Sequence, residues 1–373
     1  HHSLLFTKPC HQLVCWPNDT AATFLDRVDA LRKQGYFLAG WLAYEFGYLL
    51  EPCLHHFLED APPDQPLAVL GVYEAPLVFD HATGCFHNGE NWPSAQEDGA
   101  FTCVGLHTNI TEHEYLQAIQ TIQEYIRAGD TYQVNFTLQF DFTFQGSVAA
   151  LYQALRRNQS VSYSAWVRQR GKDVLSFSPE LFFRQTNAGI RVRPMKGTMS
   201  RGRNTYEDQL RQQALRSDPK NRSENVMIVD LLRNDLGVLL HATGGGQVMP
   251  RSLFDVEVYE SLLQMTSTID GVPLGVQAQE PTKADRVSFK ELIQALFPCG
   301  SVTGAPKIRT MEIIQELEQR PRGVYCGAIG YTGPQESCFN VPIRTVELHG
   351  RQGRMGIGSG IVGDSDPAGE WAE

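Results

Sequence analysis

Residues 132–140 read Tyr132-Gln133-Val134-Asn135-Phe136-Thr137-Leu138-Gln139-Phe140, an unbroken alternation of apolar and polar side chains. Such alternation is typical of a β-strand, because successive side chains point to opposite faces. One face of this strand is predicted to be apolar and to pack on a core. The other face, lined by amides and a hydroxyl, is expected to meet a cleft.

A helix is predicted directly before this strand. Thr111 can cap its first turn, and Glu114, three residues later, completes a capping box. Apolar side chains recur at helical spacing from Tyr115 to Ile126, and Gly129 is a natural stop. A helix followed by a half-apolar strand is thus the first structural unit that the sequence defines.

The rest of the chain adds strands, then helices, then strands again. Strands are predicted at residues 162–167, 174–177, 181–185 and 190–192, and later at 327–331, 338–348 and 354–357. Helices are predicted at residues 205–216, 223–232, 288–296 and 306–318. This order favours an α+β protein with segregated layers.

Residues 1–105 are predicted to form an N-terminal segment that packs on a catalytic domain of residues 106–373. The segment carries aromatic strand-like runs, a surface loop at residues 58–66 and a polar connection at residues 88–99. The segment could hold a regulatory pocket. The alternative is one interwoven domain.

Composition restricts the function classes. The 373 residues include 42% hydrophobic side chains, and the net charge of -10 gives no overall footprint for nucleic acid. No run reaches the roughly 18 apolar residues of a membrane span, and we expect no signal peptide. Eight cysteines without a CxxC pair fit reduced cytoplasmic thiols better than a zinc site or a disulfide framework.

Lys196 is the first candidate for chemistry. It lies between Pro194 and Gly197 at the predicted end of a strand. A lysine amine, whose ordinary pKa is about 10.4, becomes a nucleophile only in an arranged environment. The alternative is a surface lysine in a turn.

Two glycine-rich segments could approach a ligand. Residues 300–307 lack the Gly-Lys-Ser/Thr of a phosphate loop, but Pro306 suits a first helical position, which would leave the amides of Gly304 and Ala305 at a helix start. The alternative is a plain helix cap. Residues 358–363 match G-x-G-x-x-G, yet a polar turn follows, so we reject a dinucleotide site and retain only close backbone approach at Gly358 and Gly360.

Charged side chains supply the remaining candidates. Glu224 lies in the first turn of a predicted helix, and Glu370 and Glu373 share a face if their segment is helical. Carboxylates with open positions are what Mg²⁺ uses, although helix-dipole stabilisation and a solvated face are the alternatives. Arg344 interrupts an apolar strand pattern and suits either a carboxylate ligand or a structural salt bridge.

Taken together, these motifs resemble those of the chorismate-utilising enzymes, strongly over residues 112–373 and by layout only before that. The residues that carry the resemblance are Ser178-Pro179-Glu180, Pro194-Met195-Lys196-Gly197-Thr198, Ser223-Glu224-Asn225, Met227-Ile228-Val229-Asp230-Leu231, Arg233-Asn234-Asp235, Gly304-Ala305-Pro306-Lys307, Tyr325-Cys326-Gly327-Ala328, Arg344 and residues 358–366.

The resemblance implies two orthogonally packed antiparallel β-sheets flanked by helices, with the active-site cleft between them. It implies chorismate as substrate, Mg²⁺ as cofactor and a glutamine amidotransferase subunit that delivers ammonia. Within the family the motifs are most similar to the branch that forms aminodeoxychorismate for para-aminobenzoate and folate synthesis. The alternative is the branch that forms anthranilate.

The resemblance also implies ligand-binding roles. Glu224 and Glu373 match positions that bind Mg²⁺, with Glu370 helping through water. Tyr325 and Arg344 match the holders of the enolpyruvyl carboxylate. Backbone amides at Gly304, Gly358 and Gly360 are expected nearby.

Lys196 distinguishes the branches, since the anthranilate-forming relatives typically carry alanine there. The implied mechanism is attack of neutral Lys196 on ring C2, with Glu180 as general acid for the departing C4 hydroxyl. Thr198 ends the same motif and is assigned to the catalytic group. Gln133 is also assigned to the catalytic group. It stands where water-adding relatives usually carry a lysine base, so water addition is disfavoured.

Three positions depart from the pattern of relatives. Gln264 stands where several have histidine, and Asn221 replaces an acidic residue. The chain ends at Glu373, where relatives usually continue with a helix, so the metal-binding end is expected to be loose. A binding or scaffold subunit that has lost catalysis is therefore a competing hypothesis.

Overall fold

The structure is a computed structural model that describes residues 2–87, 99–169, 171–274 and 287–372. Its strands are β1 His2–Leu5, β2 His11–Cys15, β3 Phe37–Leu42, β4 Ala68–Tyr73, β5 Leu77–Asp80, β6 Cys85–Phe86, β7 Phe101–Thr108, β8 Gln133–Gly146, β9 Tyr163–Gln169, β10 Lys172–Ser178, β11 Leu181–Thr186, β12 Gly189–Arg193, β13 Met195–Ser200, β14 Gly246–Val258, β15 Leu262–Pro273, β16 Gly304–Ala305, β17 Ala328–Thr332, β18 Ser337–Asn340, β19 Thr345–His349 and β20 Gln352–Ile361.

Helices connect these strands. The α-helices are α1 Ala21–Lys33, α2 Phe46–Leu50, α3 Glu112–Ala128, α4 Val148–Asn158, α5 Thr205–Ser217, α6 Pro219–Ala242, α7 Phe289–Leu296, α8 Lys307–Leu317 and α9 Pro367–Ala372, with 3₁₀ turns at Pro52–Leu58 and Gly300–Val302. No helix in the described ranges is long and apolar enough to cross a membrane.

Two large antiparallel sheets form the body of the protein. One has seven strands in the order β16-β8-β20-β19-β10-β9, with β7 also on β8. The other has ten strands in the order β13-β15-β12-β11-β18-β17-β3-β4-β2, with β14 also on β15. A third sheet contains β1, β5 and β6. The predicted α+β class with antiparallel sheets is confirmed.

Strand β8 is the alternating stretch of the sequence, and it is central to the seven-stranded sheet. It pairs with β20 along most of its length, from Gln352 opposite Thr143 to Ile361 opposite Val134. Both faces of its first half are buried, the amide face included. The predicted cleft face is therefore interior, so its polar side chains need partners inside the protein.

Helix α3 begins and ends as predicted. Thr111 caps it, the reciprocal capping box with Glu114 is formed, and Gly129 ends it in the left-handed region with φ 85°. Tyr115, Ile119 and Ile122 are buried in the main core. Local signals decide this element because the cap, the apolar stripe and the stop all agree.

Four strands of the N-terminal segment, β2, β3, β4 and β7, are part of the two large sheets. Strand β3 pairs with β17, and β7 pairs with β8, so residues 37–42 and 101–108 hydrogen-bond to strands far away in the chain. The division at residue 105 stays a prediction. Residues 88–98 of the predicted polar connection lie outside the described ranges.

The predicted strand at residues 338–348 is wrong as one element. Strand β18 lies in the ten-stranded sheet and β19 in the seven-stranded sheet, so the chain passes between the sheets at residues 341–344. Pro342 has no N–H for a ladder, and Arg344 takes φ 52°. An apolar run cannot reveal such a change of sheet.

Two helix starts also differ from expectation. Helix α6 begins at Pro219 with Asp218 as its cap, so Glu224 is not in the first turn, and helix-dipole stabilisation no longer explains it. Pro306 is the cap of α8 and not its first residue. Gly304 and Ala305 pair with β8 as β16 and do not form a free helix start.

Arg322 joins several of these elements in the interior, with 2% of its surface exposed. Its guanidinium donates to both carboxylate oxygens of Glu318, at 2.6 and 2.8 Å. It also donates to the backbone oxygen of Asn135 on β8 at 2.6 Å and to that of Val302 at 2.7 Å. Every contact is charge-assisted and shielded from water.

Arg322→Met should lower the free energy of unfolding by about 3–5 kcal/mol, because Glu318 would remain charged and buried without its partner. Arg320→Met is the matched control, since Arg320 pairs with Asp141 at an exposed position and should contribute at most about 1 kcal/mol. Urea denaturation of both variants measures the difference. Equal losses would contradict a central role for Arg322.

Candidate active site

Lys196 is presented by a β-bulge. Met195 pairs with Thr266 and Thr198 pairs with Gln264, so two residues of β13 face one residue of β15. Gly197 within the bulge takes φ 100°, a conformation that other residues rarely adopt. A bulge re-aims the neighbouring side chain, which explains why Pro, Lys and Gly stand together here.

The amine of Lys196 meets Gln133 and Gly360. A Cβ atom on Gly360 would overlap the Lys196 Nζ and lie 2.8 Å from the Gln133 Nε2. Gln133 is fully buried, and both polar atoms of its amide have no hydrogen-bond partner among the described residues. A buried amide without protein partners can hydrogen-bond a ligand.

Burial lowers the pKa of the Lys196 amine, against the opposing influence of Glu224, Glu180 and Glu370. Desolvation disfavours the charged form, and here it outweighs three carboxylates. No ion pair to Lys196 is present within the described residues. Lys196 lies in β13 and is half-buried, so the alternative of an exposed lysine in a turn is wrong.

Glu180 lies in the interior immediately before β11, with 2% of its surface exposed. Burial raises its pKa to about 7, although a hydrogen bond from Ser301, the Met195 backbone N–H and the nearby Lys196 favour the charged form. Ser301 Oγ donates to Glu180 Oε1 at 2.6 Å. A carboxyl group with such a pKa can hold a proton near neutral pH.

Two acidic side chains besides Glu180 act electrostatically on Lys196. Glu224 on α6 and Glu370 in the first turn of α9 are half-buried. Burial raises the pKa of Glu224, and Glu370 and Asp364 raise it further, while Lys196 and Lys220 lower it. Carboxylates such as these two are the kind of donor that a divalent cation binds. Glu373 lies outside the described residues.

Tyr325 and Arg344 belong to neighbouring segments, since the Cys326 backbone N–H donates to the Pro342 carbonyl at 3.2 Å. The Tyr325 ring lies against Gly356 of β20. Arg344 is half-buried, and burial lowers its pKa. It has no ion pair among the described residues, so the salt-bridge alternative is not supported there and its fork of donors remains available.

The candidate glycines allow close backbone packing around β8. Gly304 takes φ 138°, and a Cβ atom there would collide with the Gln133 carbonyl. Gly358 and Gly360 are opposite Thr137 and Asn135 in the ladder of β20 and β8. The first four residues of the G-x-G-x-x-G run thus belong to strand β20, which agrees with rejecting a dinucleotide site.

Thr198, Gln264 and Asn221 lie around the bulge. Thr198 is exposed and donates to the Gln264 side chain at 3.2 Å, so the structure does not bring it into contact with Lys196 or Glu180. The Asn221 side chain packs on Gly197 and donates to Asp218, the residue that caps helix α6. The assignment of Thr198 to the catalytic group stays a prediction.

Sequence reasoning missed two residues that support this site. Asn225 is buried and hydrogen-bonds both Ser267, at 2.6 Å, and the Lys196 carbonyl, at 3.5 Å. Ser301 donates a hydrogen bond to the Glu180 carboxyl group. Both stand inside motifs that the sequence highlighted, but a motif does not reveal which of its members touch a neighbour.

Comparisons with known proteins agree with this geometry. A family profile described as chorismate binding enzyme matches residues 2–373. The chain is 36% identical over 356 residues to aminodeoxychorismate synthase component 1 of Klebsiella aerogenes, an alignment that covers 90% of this chain and 75% of that protein. It is 34% identical over 363 residues to anthranilate synthase component 1 1 of Haloarcula marismortui, covering 97% and 66%.

A solved structure confirms the architecture. The crystal structure of anthranilate synthase component I from Streptococcus pneumoniae TIGR4 matches with a TM-score of 0.83 at 24% sequence identity. The match covers 100% of this chain and 89% of that chain. At this identity the similarity establishes the fold alone.

Glu180→Gln should make stability less dependent on pH. Because the pKa of Glu180 is raised from 4.5 to about 7 by folding, the folded state holds its proton more tightly, and the resulting stability is lost as pH rises through 7. The unfolding free energy of the parent should fall relative to the variant by on the order of 3 kcal/mol between pH 4.5 and 8.

Urea denaturation across this range measures the effect. Glu312→Gln, at a half-exposed carboxylate on α8, is the matched amide substitution and should give no comparable divergence. Parallel curves for the parent and Glu180→Gln would contradict the raised pKa.

Proposed function

The chain belongs to the family of chorismate binding enzymes, and we propose that it is component I of an aminodeoxychorismate synthase. It would convert chorismate and ammonia to 4-amino-4-deoxychorismate, a step toward para-aminobenzoate and folate. The observation that carries this proposal is Lys196, an amine of lowered pKa beside a carboxyl group of raised pKa. The relative from Klebsiella aerogenes supports it.

Chorismate is a dianion, and the site offers two places for its carboxylates. Arg344, half-buried and without an ion pair in the described part of the chain, would bind the enolpyruvyl carboxylate together with Tyr325. Glu224 and Glu370 would hold Mg²⁺, with Glu373 as a further ligand by analogy. The bound metal would neutralise the ring carboxylate and draw charge toward it.

In the proposed reaction, neutral Lys196 attacks C2 of the ring. The double bonds shift, the C4–O bond breaks, and Glu180 gives its proton to the departing hydroxyl, which leaves as water. Ammonia then attacks C4, the double bonds shift back, and the C2–N bond to Lys196 breaks. The Lys196 nitrogen loses a proton when the adduct forms and regains one when the C2–N bond breaks. The ammonium group formed at C4 loses one proton, which restores the acid form of Glu180 and returns the enzyme unchanged.

Gln133 supports amination over hydration. Its amide is next to the Lys196 amine and cannot serve as a general base for water. Ammonia is itself a nucleophile and needs no such base. We therefore infer that the buried amide orients the ring without activating water.

The proposed partner is a glutamine amidotransferase subunit that releases ammonia for this site. The cysteines are all free thiols, which supports a reducing compartment such as the cytoplasm. Mg²⁺ dependence, the partner and the compartment are parts of the proposal.

Lys196→Ala should reduce amination of chorismate at saturating ammonium and Mg²⁺ by on the order of 10³-fold or more, because no other amine replaces the nucleophile. The Kd for chorismate should change little. Product identification by chromatography and mass spectrometry measures both the rate and the product. Lys290→Ala, at a surface pair with Asp26, is the matched control.

Three outcomes of this assay decide between functions. Unchanged turnover in Lys196→Ala would reject the covalent route. Anthranilate with release of pyruvate from the parent protein would favour the anthranilate synthase alternative, and binding of chorismate without turnover would favour a scaffold.

Gly360→Ala should reduce amination by on the order of 100-fold, because the new methyl group would displace the Lys196 amine and the Gln133 amide. Gly363→Ala is the matched control, since its nearest neighbour would be Ile126 at 3.6 Å, an ordinary contact. The ratio of kcat/KM values measures the effect. Equal kcat/KM values for the two variants would show that the Lys196 amine does not react from its position beside Gly360.

A further inference from the structure

We propose that Ser301 is a positioning residue that decides which oxygen of Glu180 carries the acidic proton. The inference rests on the proposed function, in which Glu180 protonates the departing hydroxyl. It concerns how that acid is oriented and how tightly it holds its proton. Ser301 acts through Glu180 and is not itself assigned any contact with substrate.

The geometry identifies one oxygen. Ser301 Oγ lies 2.6 Å from Glu180 Oε1, and both side chains are buried, with 5% and 2% of their surfaces exposed. The hydroxyl has a single proton to donate. Because it gives this proton to Oε1, that oxygen remains an acceptor, and the acidic proton of a neutral Glu180 must lie on Oε2.

A contact with Cys299 fixes the orientation of the Ser301 hydroxyl. Cys299 Sγ lies 3.1 Å from Ser301 Oγ, and burial raises the pKa of the Cys299 thiol to about 12. The thiol therefore keeps its proton and can donate it to Ser301, which leaves the serine proton for Glu180. Thr303 Oγ1 donates to the Cys299 carbonyl at 2.9 Å and holds the 3₁₀ turn in place.

Three titratable side chains face Glu180 from the surrounding elements. Lys196 lies on β13, Cys299 precedes the 3₁₀ turn, and Cys326 precedes β17. The Met195 backbone N–H also favours the carboxylate form. Ser301 is the hydroxyl that hydrogen-bonds the Glu180 side chain in the described structure, so its removal should raise the Glu180 pKa and leave Oε1 free to take the proton.

The test compares pH profiles of kcat/KM for amination by the parent, Ser301→Ala and Ser301→Thr. In Ser301→Ala, the alkaline limb of the profile, on which Glu180 loses its proton, should move to higher pH by about one unit. A hydrogen bond to a charged group changes a pKa by roughly this amount. The maximal rate should fall by on the order of tenfold. Ser301→Thr keeps the hydroxyl and should restore the parental limb.

A second measurement does not depend on activity. The pH range over which urea stability falls should extend upward by about one unit in Ser301→Ala, because the same carboxyl group titrates there. Ser337→Ala removes another buried, hydrogen-bonded serine hydroxyl and should lower stability without moving either profile. Ser301→Cys, a weak donor of similar size, replaces the alanine variant if that variant does not fold.

The outcomes separate this inference from the proposed function. If the parent forms aminodeoxychorismate but Ser301→Ala keeps the parental pH profile, the positioning role is wrong and the proposed function stands. If the pH profiles of Ser301→Ala and Ser301→Thr shift identically, the changed side-chain volume and not the hydroxyl is responsible. That result also overturns the inference. If the parent does not aminate chorismate, the proposed function fails, while the stability profiles still decide the Ser301–Glu180 hydrogen bond.

Discussion

The buried guanidinium of Arg322 is the constraint on which the site depends. It binds Glu318, the carbonyl of Asn135 and the carbonyl of Val302 at the same time. Asn135 is two residues from Gln133, and Val302 is next to Ser301. An arginine fork has a fixed geometry, so these contacts set the spacing between the start of β8 and the turn that carries Ser301. One buried charge therefore helps to set the positions of Gln133, the proposed ligand-facing amide, and of Ser301, the proposed positioning residue.

Burial shifts the pKa values of Lys196 and Glu180 in opposite directions, and both shifts favour the protonation states that the proposed reaction needs. Desolvation lowers the pKa of the amine and raises that of the carboxyl group, since it disfavours charge of either sign. Their mutual attraction opposes both changes but is the weaker influence. Burial thus favours the uncharged form of both groups, the form that a nucleophilic amine and an acid each need, and the two interacting groups titrate as a coupled pair.

Local sequence signals identified elements whose determinants are adjacent in the chain. The capping box of Thr111 and Glu114 and the alternation of β8 are of this kind, and Lys196 and Glu180 entered through motifs. Strands β14 and β15 were missed, because their 13 and 12 residues mix charged and apolar side chains without clear alternation. The change of sheet before Arg344 depends on distant pairings, which no local pattern encodes.

Two arginines illustrate why burial alone does not predict a role. Arg322 is buried and Arg344 is half-buried, and every donor direction of Arg322 that the structure describes ends on a carboxylate or carbonyl. Arg344 has no ion pair in the same described ranges, and the strained φ of 52° keeps it at the passage between the sheets. A buried charge must find a partner. Arg322 finds its partners within the protein and is structural, whereas for Arg344 the proposed partner is a carboxylate of the ligand. In this proposal an acidic protein binds an anion through the guanidinium of one half-buried arginine.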